Sequence, residues 1–421
     1  MKKNQIHLIN YSADKIKHCI LKLVKNTYTV SSGTDLEKLK TSTKKCKNET
    51  DAYYKYSGAV STKMADGYIY KNTNITPKPG ELLLHMRAPN RSISRLLDIH
   101  PKGKILAIGS IIGEYRGAEI HLLDKESGVL TLVYSVKPPN KQVALHTVHF
   151  NAAGDKIFFQ LDTEVTILDI ATKKLKSFAG YGRNAYRVDG PNPHVAAAMF
   201  DARRERYMYF VSGHVKICDR SMKPIFKLKL NYGENTVESK LSCISPSGKY
   251  LAVYQVSRFI VYGHDEAASD KTNQIDIWDI DLHKLIKSIQ VEEWDLTRIA
   301  FNPAETEIIF LKGICEGPGF YDIKTGKFDR WFKDKNGING WRICYSFAYS
   351  PNGEILAVGQ ALFDAKKHKK QLRYFTGSNR NPYKVMFSAD GELFIEGGDF
   401  GEISIRKAVY PKFPKKNKHV E

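Results

Sequence analysis

The chain has 421 residues, 42% of them hydrophobic and 26% charged, with a formal net charge of +20. Those proportions exclude a disordered polar polymer and provide a large core, enough for two ordinary domains or one large all-β domain. No window reaches the roughly 18 consecutive apolar residues of a membrane helix. The basic start MKKNQIHLINYSADKIKH lacks the apolar segment of a signal peptide, so a soluble, cytoplasmic protein is expected.

The charge suits an acidic protein surface, nucleic acid or an anionic membrane, and a lysine-rich solvated surface accounts for it equally. Cys19, Cys46, Cys218, Cys243, Cys315 and Cys344 lie far apart with no C-x-x-C pair. That spacing argues against a zinc ribbon or a disulfide framework and for reduced thiols. The sequons at Asn48, Asn74 and Asn90 matter only in a secreted protein and are set aside.

Residues 1–79 read as a basic N-terminal extension. Residues 1–80 hold 15 Lys, no Arg and 6 acidic residues, a net charge of +9. SADKIKHCILKLVKN predicts an amphipathic helix, with Ser12 as N-cap and Ile16, Cys19, Ile20, Leu23 and Val24 on one stripe. Thr34 and Glu37 have the spacing of a capping box. The tyrosine-rich stretch that follows predicts a small hairpin or an ordered arm. The helix face is expected to pack on the rest of the chain, with a partner or a membrane surface as alternatives.

Beyond Gly80 one pattern recurs. IHPKGKILAIG from Ile99 is followed by relatives starting at Phe150, Phe200, Ile244, Phe301, Tyr349 and Phe387, spaced 51, 50, 44, 57, 48 and 38 residues apart. Each predicts a β-hairpin, an apolar strand end leading through a Pro/Gly-type turn into a second apolar strand. The copies at Phe200 and Phe301 lack the glycine. Most are followed by an alternating strand ending in Asp124, Asp169, Asp219, Asp279 or Asp322, then a turn and a fourth strand. Four short strands per unit of some 40–50 residues is the pattern of propeller blades.

On these seven hairpins and five Asp-terminated strands, residues 80–410 resemble a WD-repeat β-propeller. Trp278-Asp279 is the single true Trp-Asp pair, and no regular Gly-His pair precedes the first strands. The resemblance implies an all-β, seven-bladed propeller with a short basic, partly helical N-terminal extension. It also implies that the family's His–Ser/Thr–Asp–Trp network is missing from most blades, leaving packing to hold them. The last unit lacks a fourth strand, and Leu82–Met86 is expected to supply it, closing the ring. Residues 411–421 form a basic tail.

Motifs for nucleophilic hydrolysis, phosphate loops, zinc proteases and EF-hands are absent, and no cofactor is expected. His146 and His149 sit three apart on a strand and so on opposite faces, which argues against shared metal ligation. The loops on one propeller face contribute Arg91, Tyr115, Arg116, Lys141, Arg183, Tyr186, Arg187, Trp294, Trp341, Arg342, Arg380 and Tyr383 as candidate interaction residues. The clusters at Ala365–Arg373 and Lys412–Lys418 and the insertion between Tyr254 and Thr272 are further basic or exposed features. The expected function is a non-catalytic scaffold or adaptor for protein partners with acidic surfaces. Nucleic-acid binding is the alternative, an enzyme the third reading, and a membrane is not an expected partner.

Overall fold

The computed structural model describes residues 4–89, 96–178, 198–229, 242–255, 273–330, 346–374 and 383–410, apart from short turns within those ranges. Six four-stranded antiparallel sheets follow one another along the chain, spanning residues 97–136, 145–178, 198–229, 242–291, 296–330 and 347–374. We call them blades 1 to 6. The expected count of seven separate four-stranded blades is corrected to six. The last repeat, with strands Lys384–Phe387, Leu393–Gly397 and Glu402–Lys407, belongs to a nine-stranded sheet.

That sheet runs on through the N-terminal part of the chain. Glu402–Lys407 pairs with Leu82–Arg87 (β6), which pairs in turn with Ile69–Lys71 (β5). Asn4–Ser12 (β1), Lys15–Val24 (β2), Thr27–Gly33 (β3) and Lys40–Lys45 (β4) complete it. The last repeat is not a separate blade because β5 takes the outer edge of β6. One core joins the sheet to blade 1 through Leu84, Met86, Ile395 and Ile405 against Leu97, Leu106 and Ile108. Another joins it to blade 6 through Val385 and Phe394 against Ile355 and Leu362. The sheet thus lies between the first and last blades and completes the ring. Each fully buried aliphatic or aromatic side chain there contributes roughly 1.5–3 kcal/mol.

The helix expected over residues 12–26 is not formed. Lys15–Val24 is strand β2, with Cys19 and Leu21 buried and Ile16 and Val24 exposed. Cys19, Leu21 and Leu23 also satisfy a period of two, and once β1 and β3 flank the segment that period wins. The helix lies later, at Glu49–Ala65 (α1). Asn48 caps it, its side chain accepting from the Asp51 N–H at 2.8 Å, and Glu49 and Asp51 favour its N-terminus. Ala52, Tyr56 and Met64 of α1 pack on Leu8, Cys19, Leu21 and Tyr28 of the sheet. The tyrosine-rich stretch is therefore mostly helix, not a hairpin or an arm. Thr34 does not start a helix either. Asp35 caps a single 3₁₀ turn at Leu36–Lys38.

The repeating turns have a common construction. In the first hairpin of six repeats the N–H of the fifth residue donates to the carbonyl of the second, as in Gly103 to His100 at 2.7 Å and Gly391 to Ser388 at 2.8 Å. That fifth residue adopts a left-handed φ, +69° at Gly103. In the glycine-free copy at Phe301, Glu305 adopts φ +59°, a conformation unfavourable for a side-chain-bearing residue. Its carboxylate accepts from the Ser247 N–H and hydroxyl of blade 4, which offsets that cost.

The aspartates ending the third strands cap the next turn. Asp124 accepts from the Ser127 N–H, Asp169 from Thr172, Asp219 from Ser221 and Asp322 from Thr325, in each case with the hydroxyl of the same residue donating too. Asp279 instead accepts from the N–H groups of Asp281 and Leu282.

Trp278 packs edge-on to Phe226 of blade 3 with ring centroids 6.4 Å apart, and its buried indole N–H meets no acceptor among the described residues. It holds two blades together by packing. Trp278→Phe is therefore expected to cost less than about 1.5 kcal/mol, and Trp278→Ala distinctly more. Equal losses of thermal midpoint in the two variants would point to a hydrogen-bonding role for the indole.

Candidate functional site: the axial arc

The first strands of the repeats are the innermost. Leu97–Ile99 contacts Leu145–Phe150, which contacts Ala198–Asp201, and the first strands of blade 6 and of the last repeat meet likewise. Side chains one and three residues before the aligned strand end share a face, because a strand alternates. At those positions blade 1 carries Asp98, blade 2 His149, blade 5 Arg298, blade 6 Ser346 and the last repeat Lys384. Neighbouring repeats therefore bring five polar side chains into one arc around the axis.

The arc is wired from blade to blade. Arg298 Nη1 donates to Ser346 Oγ at 2.5 Å, and the same oxygen accepts from the Val385 N–H at 3.1 Å. Asp98 Oδ2 accepts from the Phe150 N–H at 2.7 Å and lies 3.9 Å from His149 Nδ1. Asp98 and His149 each expose 22% of the side chain. Lys384 lies close enough to feel both Asp98 and Arg298, yet no acceptor among the described residues meets its ammonium.

Burial dominates the protonation of the arc. It pushes the Asp98 carboxyl up to about 6 against the Phe150 N–H and the Lys384 charge, which favour the carboxylate. Burial, with Arg298 adding repulsion and Asp98 opposing it, lowers the Lys384 ammonium to about 8. His149 is pushed down to about 3 by burial and then by Lys384, so its imidazole is neutral at pH 7. A second buried histidine, His85 of β6, bonds Ser404 Oγ at 2.9 Å and is pushed down to about 4, by burial first and then by Arg406.

The sign of the pH dependence follows. An unfolded chain takes up the two histidine protons near pH 6.5, whereas the folded chain refuses them until about 4 and 3. Their contribution is full above pH 6.5 and is lost as pH falls toward those values. Asp98 acts in the opposite sense, its contribution being present below its ordinary value of 3.8 and lost as pH rises through about 6. The depressed pKa values of the turn-capping Asp124, Asp169, Asp219 and Asp322 add to the loss in acid. The denaturant midpoint is expected to be lower at pH 5 than at pH 7, with a smaller difference in His149→Leu. Equal midpoints for the parent protein would contradict this assignment.

Of the twelve candidate interaction residues, only Tyr383 is described. It is partly buried just before Lys384, and its N–H donates to the Gly397 carbonyl at 2.8 Å. Arg91, Tyr115, Arg116, Lys141, Arg183, Tyr186, Arg187, Trp294, Trp341, Arg342 and Arg380 lie outside the described residues, as do residues 256–272, 366–370 and 411–421. The axial arc was missed because the hairpins were aligned for their turns. Reading the same alignment one and three residues upstream would have found it.

No group of three or more His, Cys, Asp or Glu that could hold a metal occurs among the described residues. His7 and His18 face each other across β1 and β2, Nε2 to Nδ1 at 3.1 Å, which makes two such ligands and no more. Cys19, Cys46, Cys218 and Cys243 are buried and joined by no disulfide among the described residues, and burial pushes the Cys243 thiol up to about 12, which makes it inert. No described helix is long and apolar enough to cross a membrane.

No family model and no curated protein matches the chain. Among solved structures, a chain from the crystal structure of the mitotic checkpoint complex is similar over 81% of this chain and 95% of that one, with a TM-score of 0.56 and 14% sequence identity. This likeness is one of fold alone, in keeping with the propeller arrangement of the four-stranded sheets.

Proposed function

We propose that the protein is a non-catalytic scaffold or adaptor that binds protein partners with acidic surfaces. The observation that carries this reading is the nine-stranded sheet. It holds the basic N-terminal unit in one continuous sheet with the last repeat, so two different surfaces keep a fixed relation. Rigid propellers display loops in this manner, and a net charge of +20 suits an acidic partner. We divide the chain into residues 1–79, 80–410 and 411–421, with the first unit as a second contact surface. The test is a pull-down of the full chain from its native cell extract, with and without nuclease, at low and high salt. Protein partners retained through nuclease and high salt support the scaffold.

Nucleic-acid binding is favoured by one specific feature. Strand β4, KTSTKK, is an exposed sheet edge carrying Lys40, Lys44 and Lys45. Recovery of nucleic acid that disappears steeply with salt would select this second reading, because neutralised phosphates release counterions.

A further inference from the structure

We propose that the outer edge of β4 is a docking site for an extended acidic peptide segment, which joins the nine-stranded sheet as a further antiparallel strand. The inference rests on the scaffold reading and names the form in which an acidic partner is held. Strand β4 ends the sheet, pairs only with β3 among the described residues, and exposes every one of its side chains. Its free backbone groups can be assigned. The Cys46 N–H donates to the Asn26 carbonyl at 2.8 Å, and β4 continues from that pair in unbroken register, Lys45 opposite Thr27 and Lys44 opposite Tyr28. Hydrogen-bonded and non-hydrogen-bonded pairs alternate along an antiparallel ladder. Thr41, Thr43 and Lys45 therefore turn their N–H and C=O groups outward. The Ser31–Thr41 hydroxyl contact of 2.8 Å agrees, since side chains approach most closely in non-hydrogen-bonded pairs.

The side chains of β4 select the strand that fits. Lys40, Lys44 and Lys45 lie opposite Ser32, Tyr28 and Thr27, so no acidic residue faces them across the sheet. None of the three forms an ion pair among the described residues. Carboxylates directly opposite them on an added strand supply the missing charge. A second copy of β4 brings lysines instead and is repelled. A nucleic acid satisfies the lysines, but an extended acidic peptide satisfies both the lysines and the outward ladder groups.

The test uses the full chain and a labelled, end-capped peptide, Thr-Glu-Glu-Val-Thr-Val-Glu-Thr, whose glutamates fall opposite Lys45, Lys44 and Lys40 in antiparallel register. Binding is read by fluorescence anisotropy at low, constant ionic strength. Thr43→Pro removes one outward N–H, keeps every lysine and leaves the ladder with β3 intact, as an edge strand permits. Lys44→Glu combined with Lys45→Glu reverses the charge and keeps the backbone. N-methylation of the peptide's valines blocks its own ladder donors without altering its charge. The expected result is binding by the parent that weakens roughly tenfold or more in both variants and with the methylated peptide, while thermal midpoints hold. Binding undiminished by Thr43→Pro and by N-methylation would show attraction by charge alone and overturn the proposal. No binding of the peptide by the parent would overturn it as well. Tighter binding of oligothymidylate than of the peptide, unchanged in Thr43→Pro, would overturn it in favour of nucleic acid. If Thr43→Pro does not fold, the methylated peptide decides on the parent protein alone. None of these outcomes touches the scaffold reading, which the pull-down decides.

Discussion

Replacing Arg406 with Met is expected to cost about 3–5 kcal/mol of folding stability, a large part of what a domain has. Arg406 Nε donates to Glu396 Oε2 at 3.2 Å, and the Glu396 side chain is fully buried. The two residues occupy neighbouring strands of the last repeat, and Arg406 Nη1 also reaches the Gly80 carbonyl at the entrance to β6. Without the guanidinium, a carboxylate remains desolvated with its countercharge gone. The pair itself is worth much less than the cost of halving it, because desolvation of two ions offsets most of their attraction. Arg406→Met with Glu396→Leu should therefore recover most of the loss. Urea denaturation of the parent, both single variants and the double variant closes the cycle. An Arg406→Met midpoint within experimental error of the parent would show that water reaches Glu396. Because the pair lies in the sheet between blades 6 and 1, its loss is expected to loosen the ring at its closure.

What the sequence revealed depended on whether a local pattern had one physical solution. In the hairpins it did. A small or polar residue, a turn and a left-handed fifth position leave the backbone little choice, and even glycine-free Glu305 takes the expected conformation. The aspartates at the third-strand ends were visible as positions, but their role as turn caps depends on a hydroxyl or N–H two or three residues later. For KIKHCILKLV two solutions existed. Cys19 and Leu23 fit a helical stripe, while Cys19, Leu21 and Leu23 fit an alternating strand, and only the neighbours β1 and β3 decide between them. Helix α1 was the converse case. It carries Gly58 with three tyrosines and two serines around it, so no clean stripe announces it, although Asn48 and Asp51 mark its start. The axial arc depends on the ring. Asp98 and Lys384 are 286 positions apart in the chain, and only closure makes them neighbours.

Removing residues 1–79 is expected to convert the protein into a self-associating one. The deletion takes away β1 to β5 and α1, and with β5 the partners of His85 and Leu84 on β6. It also strips Ile69 from the core that Leu84 and Met86 share with blade 1, and Ser61 from Arg87. What remains is a six-residue apolar strand with an unpaired outer edge, which invites another copy to pair. In the full chain the edge is carried out to β4, where exposed lysines discourage such pairing. Light scattering after gel filtration should show a particle mass per chain that rises with concentration for the shortened protein and not for the parent. A monodisperse shortened protein of unchanged thermal midpoint would mean that β6 needs no cover. If the expected result is found, a partner lost on deletion cannot be credited to the N-terminal surface, since the exposed edge of β6 would disturb binding by itself. The contact is then better probed by charge reversal at Lys44 and Lys45 of β4, which are exposed and leave the sheet intact.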